Sequence, residues 1–408
     1  MLDREAPIQR MGMQMSRGTW LNFRWDFSAT ILYSFFNVIF NQFYVPIAIQ
    51  HGASSFQVGL LSAAPAIGLI FSPFWASWIE RSRPKPFMIY PNFIGRLLII
   101  VPALYAAPWV FVAVVLAFHV LMGIQAPAYA SLVTRMYPPQ LRGRLMGNVR
   151  VAMGFLMIPM AYLIGKWMDY SGSSGPLITG SVLGVVSILV FCGIKEIEPV
   201  ASRAAAVHKS AILSQFRLLK ENRRLALFLA ATTFSGFGNM LASPLYQIVQ
   251  VQRLELTNVE LGYIRMVYYT FLILAYWLMG KVIDRYSPKH AMYFGIGGFT
   301  LVPLLYGALG SYPSLLLAGG LQGFADATWD IGCMAYVFRI APGREAVVFG
   351  LHLMLFGVRG TIGPLLSTAL AGTVPLPLIF FAAFGCGILA LLLFASEKPS
   401  KELETAKA

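Results

Sequence analysis

Ionisable side chains inside apolar runs are the residues of this chain that most need a chemical explanation. A charge at mid-bilayer costs roughly 2.5–3.5 kcal/mol on insertion scales. Asp326 and Asp330 lie one turn apart in one such run, on a stripe with Gly319 and Gly323. Small residues at that spacing mark a helix contact or a cavity wall, so the two acids are expected to face protein or water. Arg359, in the next run, falls at a depth matching Asp326, each ~20 Å from the same end at ~1.5 Å per residue, and is the expected counter-charge. Gly360, Gly363 and Pro364 follow it and predict a bend. His119 sits midway along an earlier run; histidine titrates near neutral pH, although a satisfied structural histidine is an equal reading. Acids, a base and a counter-charge whose hydration changes can take up a proton and release it. That is the chemistry expected here.

A second set is polar but uncharged. Asn37, Asn41 and Tyr44 share one helical face, and Ser235, Asn239, Ser243, Tyr246 and Gln250 share another. Amides on one face suit a wetted cavity, or else interhelical contact worth only ~0.6 kcal/mol each. They are expected to line a substrate cavity together with Gln125 and Trp329. Arg96 and Arg150 read as structural, and Arg265 has Glu260 close by.

The elements that must hold these groups are membrane spans. The 408 residues are 57% hydrophobic and 12% charged, too apolar for a soluble domain. Runs of about 20 apolar residues recur from end to end. Spans are expected at about 26–50, 56–79, 86–106, 109–136, 145–168 and 176–194. Six more follow at about 225–251, 258–283, 289–309, 313–340, 346–371 and 375–394. Residues 1–25 read as a cytoplasmic segment, 26–194 as one six-helix bundle and 225–394 as a second. Residues 195–224 form a basic linker with an amphipathic stretch, and 395–408 a charged tail. The net charge of +14 gathers in alternate loops, which places both termini and the linker inside by the positive-inside rule, and argues against nucleic acid as a partner. Cys192, Cys333 and Cys386 sit within spans, with neither disulfide nor metal spacing.

Two charged stretches repeat at half the chain length: Ala76–Lys85 (ASWIERSRPK) and Gly280–Lys289 (GKVIDRYSPK). Each follows one span and opens another. Glu80, Arg81 and Lys85 in the first match Asp284, Arg285 and Lys289 in the second, where Gly280 also stands. The repeat extends to Asn37, Asn41 and Tyr44 against Asn239, Ser243 and Tyr246, and to Val101–Tyr105 against Val302–Tyr306. Both stretches resemble the loop of the major facilitator superfamily (MFS), Gly-x-x-x-Asp-Arg-x-Gly-Arg-Lys, found between helices 2 and 3 and between 8 and 9. The resemblance implies an all-α integral membrane protein of twelve helices in two pseudo-symmetric halves, with a substrate site between them. It also implies that helices 1, 4, 7 and 10 line that cavity, and that Asp284 and Arg285 latch a cytoplasmic gate. His119, four residues before Gly123, stands where many proton-coupled members carry arginine. The efflux signature of helix 5 is kept at Gly154, Pro159 and Gly165, with Ile158 in place of the glycine before proline.

Neither a phosphate-cradling Gly-x-x-x-x-Gly-Lys-Ser/Thr nor a His/Cys metal pattern is present, so no enzyme activity and no cofactor are expected. The expectation is a monomer in the inner membrane, exporting a small organic compound against protons. Import of a polar or anionic solute, lipid or glycolipid flipping, and a membrane scaffold are the alternatives.

Overall fold

A computed structural model of the chain describes residues 8–70, 72–79, 83–196, 222–340 and 345–396. The linker and tail expectations thus fall largely outside the described residues, as do Glu80 and Arg81. Twelve helical segments follow one another among the described residues. These are α1 (Arg17–Gln50), α2 (Ser55–Ile70 and Ser72–Ile79), α3 (Pro84–Leu104), α4 (Pro108–Met136), α5 (Pro139–Ser171) and α6 (Ser174–Phe191). The second series is α7 (Arg223–Arg253), α8 (Asn258–Arg285), α9 (Pro288–Ala308), α10 (Tyr312–Ile340), α11 (Glu345–Leu370) and α12 (Leu376–Ala395). Ten are long and apolar enough to cross a bilayer. Each of α1 and α7 contains a π-helical turn, at Ile39–Phe43 and Val249–Arg253. Such turns concentrate at functional sites.

The chain resolves into two compact units. One holds Met1–Ala206 with Gln247–Tyr269; the other holds Val207–Tyr246 with Thr270–Ala408. In the first, α1 begins at Arg17, well before the expected start at 26. Ser16 caps it, its hydroxyl accepting from the Thr19 N–H at 3.1 Å. The polar residues that made 17–25 read as loop are absorbed by partners. Asn22 donates to the Met136 and Lys195 carbonyls and accepts from the Lys195 N–H. Ahead of the helix, β1 (Ile8–Arg10) and β2 (Met13–Met15) pair antiparallel around the two-residue turn Met11-Gly12, both at positive φ. Met13 and Met15 are buried against Met136 and Tyr137.

Glycines set the closest approaches. A Cβ at Gly68 would collide with the His119 carbonyl oxygen, and one at Gly123 with that of Gly68, so α2 and α4 touch backbone to backbone. Gly165 does the same for α5 and α8, against the Asn258 carbonyl. One turn further, the Asp169 carboxylate accepts from the N–H groups of Asn258 and Val259, both at 2.9 Å, capping α8. Thr257 and Glu260 add a reciprocal capping box. Glu260 therefore caps its own helix rather than answering Arg265, whose Nε and Nη2 are buried without a hydrogen-bond partner among the described residues.

The second unit packs Phe228, Tyr336 and Phe394 into an aromatic knot joining α7, α10 and α12.

Candidate functional site

The first unit encloses a cavity of about 260 Å³ lined by α1, α3, α4, α5 and α6. Its walls are Tyr33, Tyr129 and Phe191 with the thioethers of Met88, Met122 and Met153. Gln125 lines it, its amide directed at Met88 Sδ at 3.3 Å. The charged groups are Asp26, Arg96 and Arg150. Asp26 is only 3% exposed and accepts a hydrogen bond from the Tyr137 hydroxyl at 2.8 Å. Among the described residues it has no ion-pair partner. Arg96 is the opposite case. It donates to the Gly184 carbonyl at 2.7 Å, to Ser187 Oγ and to Asn92 Oδ1, and lies over the Tyr33 ring. Its charge is absorbed by α3 and α6, so the structural reading of Arg96 holds. Arg150 is exposed at the cavity wall.

Asp26 escaped the sequence reading because it fell on the expected start of the first span, where an acid needs no explanation. The signal that finds it is Ser16 as a helix cap, which moves the start upstream.

The amide stripe divides. Asn37 donates to the Tyr33 hydroxyl at 3.3 Å, which ties it to the cavity wall, and Asn41 is exposed. Tyr44 is fully buried and donates to the Phe111 carbonyl at 3.0 Å. Tyr246 is buried between the rings of Tyr306 and Phe380. These two tyrosines are core, not cavity: the aromatic body fills the interior of a six-helix unit, and periodicity alone does not separate that face from a wet one. Asn239 and Ser243 are half-buried on α7; Ser243 donates to the Met240 carbonyl, while Gln250 is buried in the π turn. His119 sits against aromatic rings, 5.9 Å from Phe40 and 5.3 Å from Phe118.

The second unit gathers a different chemistry. Asp330 is exposed and accepts from the Tyr276 hydroxyl at 2.7 Å. Asp326 receives the Gln322 amide at 3.4 Å. Trp329 between them lies tilted against His352, ring centres 5.9 Å apart, and His352 is buried with Nδ1 unpartnered among the described residues. Arg359 is buried and donates to the Thr232 carbonyl of α7 at 2.8 Å, passing over Gly236, where a Cβ would meet its guanidinium at 2.5 Å. The expected pairing with Asp326 is thereby corrected. Arg359 instead neighbours Cys333, about two turns from Asp326, because the bare Gly236 surface draws it towards α7. Sequence reasoning missed His352 and Tyr276, since neither follows a repeat or a charge.

The two motif lysines reach corresponding helix ends by different contacts. Lys85 donates to the Cys192 and Ile194 carbonyls just beyond α6, at 2.8 and 2.7 Å. Lys289 lies 5.5 Å from the Phe394 ring at the end of α12. Nothing crowds a Cβ at Gly280, and the Arg285 guanidinium lies over Tyr286. The side chain of Asp284 falls outside the described residues.

A model of the Major Facilitator Superfamily matches residues 27–255 and 228–408. The chain is 24% identical to the multi-drug resistance efflux pump PmrA of Streptococcus pneumoniae, over 88% of this chain and 93% of that one. A probable 4-methylmuconolactone transporter of Cupriavidus pinatubonensis is 27% identical over 34% of this chain and 32% of its own length. Among solved structures, a mutant of the nucleoside transporter NupG superposes with TM-score 0.74 at 15% identity, covering 92% of this chain and 99% of that one. A bacterial homolog of the human lysosomal transporter Spinster, inward-facing and unoccupied, gives 0.64 at 12%, covering 93% and 95%. At these identities the likeness to solved structures establishes the fold. With the family model covering nearly the whole chain, this multi-pass membrane protein belongs to the Major Facilitator Superfamily and is a transporter.

Proposed function

We propose that this transporter exports small amphipathic organic compounds in exchange for protons, with both termini on the cytoplasmic side of a bacterial plasma membrane. The observation that carries the reading is the separation of two polar sites. An aromatic, thioether-lined cavity with one buried carboxylate lies in the first unit, and the acids Asp326 and Asp330 with His352 lie in the second. The first suits a compact aromatic solute whose polar groups answer the charged side chains in the wall. The second suits a proton that binds and leaves as hydration changes. The full-length relationship to an efflux pump supports export, and the loops' basic residues support the orientation. His119, the half-buried Asn37, Asn239 and Ser243, the exposed Asn41, and the gate residues Asp284 and Arg285 remain assigned to the transport cycle within this reading.

Import of an anionic solute drew its support from the surplus of arginines in spans. That support weakens, because Arg96 and Arg359 both donate to main-chain carbonyls within their own units.

Purified protein in liposomes tests the reading with a panel of fluorescent aromatic dyes. Acid-inside liposomes are expected to accumulate dye and to release it when an ionophore collapses the pH gradient. Uptake indifferent to the gradient, or none across the panel, contradicts proton-coupled export.

A further inference from the structure

The cavity of the first unit carries two opposite charges that do not neutralise each other. Asp26 lines it from α1 and Arg150 from α5, and among the described residues neither side chain forms an ion pair. The other groups facing Asp26 do not cancel it either. Tyr137 and Tyr129 are neutral phenols, and Arg96 directs Nη1 to Gly184 and Ser187 and Nη2 to Asn92, while its buried Nε meets no hydrogen-bond partner among the described residues.

A carboxylate held 3% exposed in an apolar wall with a single phenolic donor is costly unless a proton or a cation joins it. Arg150 at the exposed side offers a planar donor set matched to a carboxylate or phosphate. The same cavity presents aromatic and thioether surfaces that favour a ring. From this arrangement we infer that the cavity binds a compact zwitterion: an aromatic body with an ammonium group that meets Asp26 and an acidic group that meets Arg150. The volume of about 260 Å³ limits the bound part to one or two rings. A ligand with only one of the two charges leaves the other wall charge without a partner, and a site of paired polar groups penalises that strongly. The inference rests on the transporter reading only for the fate of the ligand, since binding needs no gradient.

The test is equilibrium binding of three radiolabelled probes with one ring system to the purified full-length protein in detergent. L-Tryptophan carries both charges, tryptamine the cation alone and indole-3-propionate the anion alone. Tryptophan is expected to bind at least tenfold more tightly than either of the others. Asp26→Asn should erase its advantage over indole-3-propionate and leave indole-3-propionate affinity unchanged. Arg150→Gln should erase its advantage over tryptamine. Arg150 is exposed, so its variant folds and decides the matter even where Asp26→Asn proves unstable. Equal affinities for the three probes, no saturable tryptophan binding, or a tenfold preference over tryptamine that survives Arg150→Gln would each overturn the inference. None of these results bears on gradient-driven dye export, which the liposome experiment reads separately.

Discussion

The two units are built from one repeated sequence plan, yet their interiors do not match. Each buries an arginine. In the first, Arg96 makes three donations to α3 and α6 and stacks on Tyr33, so it braces the wall of a cavity whose acid, Asp26, is left to one phenol. In the second, Arg359 reaches a single carbonyl on α7 and stands near a histidine and a cysteine, the cysteine itself close to an exposed acid; in both arginines Nε is buried without a hydrogen-bond partner among the described residues. The repeat preserves what fixes the helices, as Lys85 at the end of α6 and Lys289 at the end of α12 show. It leaves the polar interior free to diverge. The repeated plan thus supplies a scaffold twice, and the polar side chains it holds differ between the copies.

The sharpest way to break the comparison is at the backbone contact found in the first unit. Gly68→Ala drives a methyl into the His119 carbonyl, and neither backbone can yield cheaply. A loss of about 3 kcal/mol or more is expected, read as a collapse of thermal stability in detergent. Next come the arginines. Arg96→Lys should cost about 3 kcal/mol, because an ammonium cannot reproduce a fork that serves three acceptors. Arg359→Lys should cost about 1 kcal/mol, since one carbonyl bond can be remade. Equal costs, measured by the same melting experiment, would make the two interiors equivalent after all. The smallest effect is expected at Gly280→Ala, where the added methyl meets open space and stability should stay within about 0.5 kcal/mol of the parent.

The fold was legible because its signals are long: apolar runs, alternating basic loops and a motif recurring at half-length. The site was legible only in part. Asp326, Asp330 and Gln125 stand out because their residue types are rare in spans, and each lies beside polar partners or in the cavity wall. Tyr44 and Tyr246 misled because a tyrosine on a polar stripe and a tyrosine in a core share one periodicity. Asp26 was hidden by a helix that starts at Arg17. Arg359 was assigned the wrong neighbour because depth along a helix says nothing about rotation around it, and the choice was made by a glycine on α7.

The division of labour between the units is tested most directly by separating substrate exchange from gradient-driven accumulation in liposomes. Asp326→Asn and Asp330→Asn, alone and combined, are the variants to compare with the parent protein, using a dye that the parent accumulates. If the second unit carries the proton, at least one single variant and the double variant will exchange dye across the membrane at a near-parental rate. The same variants will build no gradient of it, whatever the imposed pH difference. Accumulation with parental pH dependence in the double variant would contradict the claim and place the coupling proton elsewhere.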